Sequence, residues 1–264
     1  MRRGLLYTFL AQAPTLLLFF ISSTLMTRML GDEGRGEYAL ITNQVALLTL
    51  LLSLNVNYGI SYFASRNGPT REVVGTAVSL LLINLLLAPA LLALLRAVPA
   101  TSAVLMPERA GHWMYWGFVY VSIMLALFTN CTSALLLSQK RFRELNQLSI
   151  LSAALSAVGF ASLFLLRHRF QADELLAATL IITLSVQLLH AAAAAGLYAI
   201  HVPVAPRPIW PLAASRPTIA FSVVAHLSNL INMITYRFDV WVVDQWHGAA
   251  DLGLYAAAVG IAQL

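Results

Sequence analysis

The chain has 264 residues, of which 16 are basic and 11 acidic, while 59% are apolar and the mean hydropathy is +0.78. A water-soluble domain carries about a quarter charged residues, so this composition excludes an ordinary soluble enzyme and predicts a membrane protein. The formal charge of +5 reflects a small excess of arginine. Apart from the short loop Lys140-Arg141-Phe142-Arg143, no Lys/Arg cluster interleaves with aromatics, so nucleic acid is not expected as a partner.

Lys, Arg, Asp and Glu are absent from 4–27, 38–65, 73–95, 110–139, 145–166, 175–206 and 217–236. A spanning helix needs about 20 apolar residues, so seven intervals are long enough to cross a bilayer. The first follows Met1-Arg2-Arg3 and resembles a signal peptide, but its apolar run continues through Leu25, which predicts an uncleaved span. The fourth contains the chain's one cysteine, Cys131, so neither an intrachain disulfide nor a cysteine-based metal site is available. An eighth apolar stretch, 252–264, runs to Leu264 without a flanking charge, which predicts that the final lobe is truncated.

The segment 202–217 differs from the other connections. Pro203, Pro206, Pro208, Pro211 and Pro217 remove backbone donors and exclude a continuous helix. It reads as a linker between an N-terminal six-helix transmembrane lobe, 1–201, and the start of a second lobe, 218–264. Around the spans, Arg2, Arg3, Arg66, Arg71, Lys140, Arg141, Arg143, Arg207 and Arg216 fall on the N-terminal side. Arg28, Arg35, Arg96, Arg109, Arg167 and Arg169 fall on the other. The positive-inside rule therefore predicts a cytoplasmic N-terminus.

Shifted by 217 positions, the chain aligns with itself: Gly31, Gly36, Tyr38 and Ala39 meet Gly248, Gly253, Tyr255 and Ala256. Both copies join the end of one span to the start of the next. The glycines suit a tight turn with positive backbone dihedrals, and the tyrosines suit an interfacial anchor. Spans one and seven then cross in the same direction, a parallel repeat of the sort that places a substrate between two halves. The predicted fold is an all-α polytopic membrane protein, with one complete six-helix lobe and the first one to two helices of a second, repeated lobe.

On span one, Thr8, Gln12, Thr15, Ser22 and Ser23 fall within about 100° of one another at roughly 100° per residue. On span seven, Ser222, His226, Asn229, Asn232, Tyr236 and Asp239 fall within about 140°. Under the shift, Gln12 meets Asn229, Thr15 meets Asn232 and Ser22 meets Asp239. Polar groups facing hydrocarbon would go unpaired, so both stripes are expected to line a central cavity. The alternative is that they bond neighbouring helices together, the favoured reading for the serines and threonines.

Arg237 and Asp239 lie past the middle of span seven, where an ionisable residue suggests function. Their alternative role is an interfacial pair that snorkels to the headgroups. Two residues apart, they diverge around the helix and are not expected to pair. His190 with Gln187 reads as a satisfied interior pair. Paired carboxylates, a Ser/His/Asp set and a phosphate-binding glycine loop are absent, so no catalytic residues, metal or cofactor are predicted.

Thr27-Arg28-Met29-Leu30-Gly31-Asp32-Glu33-Gly34-Arg35-Gly36-Glu37-Tyr38-Ala39 resembles the pattern after span one in the polysaccharide flippases of the multidrug/oligosaccharidyl-lipid/polysaccharide exporter superfamily. Gln139-Lys140-Arg141-Phe142-Arg143 resembles that family's basic-aromatic loop after span four, and Asp239 with Gly253-Leu254-Tyr255-Ala256 resembles the start of its second lobe. The resemblance implies two six-helix lobes around a cavity that opens alternately to either leaflet. It implies an undecaprenyl-pyrophosphate-linked oligosaccharide as substrate, moved across a bacterial inner membrane toward polysaccharide or lipopolysaccharide. Arg237 and Arg28 would hold the pyrophosphate, with Asn, Gln and Tyr on sugar hydroxyls. The expected path residues are Arg237, Asp239, Asn229, Asn232, Tyr236, His226, Gln12 and Arg28. The expected partners are the lipid bilayer, the lipid-linked glycan, and a continuation of the chain or a second polypeptide that completes the lobe. Alternative readings are a cation-coupled multidrug exporter, a polytopic enzyme of lipid-linked glycan assembly, and an inert helical scaffold. The exporter would need a carboxylate in the first lobe's cavity, and the enzyme a large catalytic loop.

Overall fold

A computed structural model describes residues 2–98, 113–210 and 215–262, with side chains described from Gln12 onward except those of Trp113 and Ile261. Arg109, Pro211 and Leu264, and the side chains of Arg2, Arg3 and Thr8, lie outside the described set. Every regular element among the described residues is helical: α1 (Arg2–Ser53), α2 (Val56–Asn67), α3 (Arg71–Ala97), α4 (Trp113–Ser138), α5 (Phe142–Leu166), α6 (Ala172–His201) and α7 (Arg216–Ala262), with a 3-10 turn at Arg167–Arg169. Six of these helices are long and apolar enough to cross a membrane, and the chain is a multi-pass membrane protein. Leu86, Leu165 and Ile200 are 75%, 76% and 74% exposed, as side chains facing lipid should be.

At 1.5 Å per residue, the 52 residues of α1 and the 47 of α7 would each be more than twice as long as a hydrocarbon core of about 30 Å is thick. Each is folded at one glycine. Gly31 (φ 67°, ψ −174°) and Gly248 (φ 83°, ψ 177°) are extended with positive φ, a conformation that a side chain would strain. Spans one and two are thus the two arms of α1, and spans seven and eight the two arms of α7. The turn is narrower than the charge pattern of 28–37 suggests. Helix runs up to Leu30 and resumes at Asp32, because the glycine alone reverses the chain and charged residues on either side tolerate helical backbone.

The two hairpins form the most extensive helix–helix contact in the molecule. A Cβ at Gly36 would lie 1.8 Å from the carbonyl oxygen of Ala249, and one at Gly253 would lie 1.9 Å from that of Asp32. These are the same contact twice: the 217-residue shift carries Gly36 to Gly253 and Asp32 to Ala249. The repeat is therefore isologous, each copy pressing its bare helix face on the other's first turn. Leu40 and Leu47 pack with Val240, Trp241 and Met233, and Gly59 of α2 abuts Ser222, so the second arm of α1 and α2 run antiparallel to the first arm of α7.

Between α1 and α2, Leu54 (φ 46°) and Asn55 (φ 50°) break the helix in left-handed conformation, with no glycine or proline to announce it. Side chains satisfy the interrupted backbone: Asn84 of α3 donates to the Leu52 carbonyl (3.1 Å), and the Asn55 N–H donates to Ser53 Oγ (3.1 Å). α4 is the most enclosed span, with Phe118, Val119, Ile123 and Leu127 in one core cluster and Ala134 and Leu135 in a second. After α6, the segment from Val202 runs as a non-helical strap along α3, where Ser79 Oγ both accepts from the Ile209 N–H and donates to its carbonyl, each at 2.9 Å. Pro217 stands in the first turn of α7, where its missing N–H leaves no bond unmade.

Gly36→Ala and Gly253→Ala should each lower the thermal midpoint of the purified protein, through an overpacking cost of about 1–3 kcal/mol. Gly196→Ala, with nothing within 4 Å of the added carbon, should leave the midpoint unchanged or raise it.

Candidate functional site

The hairpin contact closes one end of the bundle, at the Gly31 and Gly248 turns. Below it the arms of both hairpins enclose, with α5 and α6, a chamber of about 470 Å³, while the second arm of α1 and α2 stay packed on the first arm of α7. The first arm of α1 contributes Thr15, Ser22 and Ser23, at helical spacing on one face. Its second arm contributes Arg35, Tyr38, Thr42 and Asn43. Ser156 of α5, Thr183 and Gln187 of α6, and Tyr236, Arg237, Asp239 and Tyr255 of α7 complete the polar lining.

Arg35 is the least compensated of these groups. It is 7% exposed, yet its contacts are weak: Nη1 lies 3.9 Å from Met26 Sδ, the guanidinium carbon lies 5.7 Å from the Tyr38 ring centroid, and Nε has no partner. Among the described residues no carboxylate pairs with it. A buried cation with an unpartnered donor is costly unless an anion completes it. Asn43 is likewise buried with neither amide atom bonded, and Gln187 has a free carbonyl oxygen. The hydroxyls are more settled. Thr183 donates to the Thr179 carbonyl (2.9 Å), so Tyr38 is the donor in the 3.2 Å bond between Tyr38 and Thr183.

Asp239 accepts from its neighbour's backbone, Val240 N–H at 2.9 Å, and from the Tyr255 hydroxyl. Tyr255 is the repeat equivalent of Tyr38. Arg237 is exposed and does not pair with Asp239. The chamber lining therefore holds two guanidiniums and one carboxylate, the carboxylate being engaged by hydrogen bonds.

The sequence-derived path residues divide. Tyr236, Arg237 and Asp239 line the chamber, whereas Gln12, Asn229, Asn232, His226 and Arg28 do not. Seven residues are nearly two helical turns, so Asn229 lies below Tyr236 and Asn232 below Asp239 on the same face, and Gln12 lies one turn below Thr15. Asn232 and Gln12 are exposed and Asn229 is half-buried. The stripes thus continue past the chamber toward the N-terminal side. His226 is buried against the Leu54–Asn55 break, its Nδ1 3.5 Å from Asn55 Nδ2, so it joins helices. Arg28 borders an adjoining recess of about 210 Å³ that shares Phe19, Ser23 and Gly260 with the chamber.

Arg35, Asn43 and Gln187 were not singled out for the site by residue pattern. Arg35 reads as a turn charge, and the signal that could place it is its spacing from Gly31 once helix is allowed to resume at once. His190 follows the interior reading with a different partner. Ser152 spends its proton on the Leu148 carbonyl, so His190 Nδ1–H donates to Ser152 Oγ at 2.8 Å.

In a Cys131→Ala background, cysteine at Ser23 or Thr42 should react with a charged thiol reagent on the order of ten-fold faster than cysteine at lipid-facing Leu165, because only a wet thiol forms thiolate readily. Equal rates would show that the chamber is dry.

No curated protein and no solved structure matched the chain. A family model described as "Polysaccharide biosynthesis protein" matches residues 1–264. With its repeated helical hairpins around a polar intramembrane chamber, the chain belongs to the polysaccharide biosynthesis protein family.

Proposed function

We propose that the chain is a non-enzymatic transporter that carries an undecaprenyl-pyrophosphate-linked oligosaccharide from the cytoplasmic to the outer leaflet of a bacterial inner membrane. The observation that carries this reading is Arg35, a buried guanidinium on the chamber wall without a carboxylate partner among the described residues. An arginine fork matches phosphate oxygens in bidentate geometry, and in a low-dielectric chamber the pairing is strong. Arg237 supplies a second cation nearer the open face. Asn43 and Gln187, with unmade hydrogen bonds, suit sugar hydroxyls, which both donate and accept.

In this reading the N-terminus is cytoplasmic, residues 1–201 and 218–264 belong to two lobes, and 202–217 joins them. The glycolipid enters from the N-terminal side, along the polar stripes. Asn229, Asn232 and Gln12 border that approach, and the contact of Gly36 with Gly253 blocks the far end until the hairpins part. A cation-coupled drug exporter fits less well, because a cationic ligand would meet two arginines and a single carboxylate already hydrogen-bonded. A glycan-assembling enzyme would need an acid or base poised on substrate, and Asp239 is held by Val240 and Tyr255 instead.

Arg35→Ala and Arg237→Ala should each reduce glycan export by at least about ten-fold, the equivalent of one lost interaction of ~1.4 kcal/mol, with unchanged protein in the membrane. Arg35→Lys should retain part of the activity, since it keeps the charge and loses the fork. Unchanged export in Arg35→Ala would remove the anion-binding role. Asn43→Ala with Gln187→Ala should weaken export more than Ser22→Ala with Ser23→Ala, because the Ser22 hydroxyl is already bonded to the Leu18 carbonyl (2.8 Å). Equal effects would indicate that the amides only bond helices together.

A further inference from the structure

We infer that the N-terminal side of the six-helix lobe holds one anionic phospholipid, its acyl chain in a groove beneath the strap and its headgroup on Arg71 and Arg207. The groove measures about 490 Å³ and lies between α3, α4, α6 and the strap, with Val74, Ala77, Leu135, Ala195, Val204 and Pro206 on its walls. Its depth matches one leaflet: the lining reaches Leu81, ten residues into α3, and Phe128, ten residues before the end of α4, about 15 Å along each axis against a hydrocarbon core of about 30 Å. Eight residues of α6 separate Gln187 in the chamber from Ala195 in the groove, about 12 Å along the axis. The two cavities are distinct.

The groove is held open by the strap. Tyr198 Oη donates to the Val204 carbonyl at 2.5 Å, the Val202 N–H donates to the Tyr198 carbonyl at 2.8 Å, and Pro203 and Pro206 have no N–H to satisfy. A fixed apolar space of this size does not stabilise water, which needs two to four polar partners. A hydrocarbon chain requires none, and the surrounding bilayer supplies one.

Charge selects the headgroup. The Arg207 carbonyl packs on Gly75, where an added Cβ would sit 3.0 Å away, and Arg71 stands one turn earlier on the same face of α3. Both side chains are exposed, and neither pairs with a carboxylate among the described residues. Glu72 occupies the first turn of α3, where a negative charge favours the helix N-terminus. Two like charges brought to one corner at the membrane surface complement an anionic headgroup, whereas a zwitterionic lipid would add a cation of its own.

The test uses the full chain in detergent, equilibrated with phosphatidylglycerol or phosphatidylcholine of identical acyl chains, and reads retained lipid by native mass spectrometry. One phosphatidylglycerol per chain should be retained, in roughly ten-fold preference over phosphatidylcholine. Arg71→Ala with Arg207→Ala should bring that ratio close to one, and the paired lysine substitutions should restore it. Ala199→Phe, at an exposed position on the groove wall, should displace both lipids. Arg96→Ala, exposed in the last turn of α3 at the opposite end from Arg71, should change nothing. Equal retention of the two lipids by the unaltered chain would overturn the proposal. So would retention indifferent to Ala199→Phe, or lipid lost with Arg96→Ala.

Discussion

Two helical faces without side chains press on each other's backbone, and the architecture is arranged around that contact. Gly36 and Gly253 bring α1 and α7 to carbonyl distance at one end of the bundle. The second arm of α1 and α2 keep this packing along the first arm of α7 as far as Gly59 and Ser222. The chamber lies beside that seam, bounded by the first arm of α1, the second arm of α7, α5 and α6. Close approach through small residues is a common solution in a membrane, where burial of apolar surface does not favour protein over lipid.

Inside the chamber, polar groups follow the rule that backbone and side-chain donors away from water need partners. Thr42 and Ser22 return their protons to their own helices. Asp239 is held by a tyrosine and a backbone amide. Arg35, Asn43 and Gln187 are left incomplete, and the incomplete groups are a cation and two amides. The proposed glycolipid substrate rests on that residue set.

Much of this was legible in the residues. Charge-free intervals located the crossings, and Gly31, Gly36 and Tyr38 against Gly248, Gly253 and Tyr255 revealed the repeat, because turn glycines and interfacial tyrosines leave a spacing that survives divergence. The strap was equally visible from its prolines. Three features were hidden. The break at Leu54–Asn55 depends on Asn84 reaching over from α3, so no local signal marks it, and His226 was assigned to a polar stripe when it faces that break. Arg35 occupies a charged stretch typical of a loop, and only the immediate resumption of helix after Gly31 turns it inward. Gln12, Asn229 and Asn232 lie on the anticipated faces, but a helical wheel has no depth coordinate to say where a cavity stops.

The reciprocity of the glycine contact has a mechanical consequence. Two identical teeth engage, one from each hairpin, and they are related by the same rotation. A Cβ at Gly253 would lie 3.1 Å from the Gly36 nitrogen, so the two teeth share one spot and neither backbone can shift there without the other. In the proposed transport reading they would act as one latch with two settings.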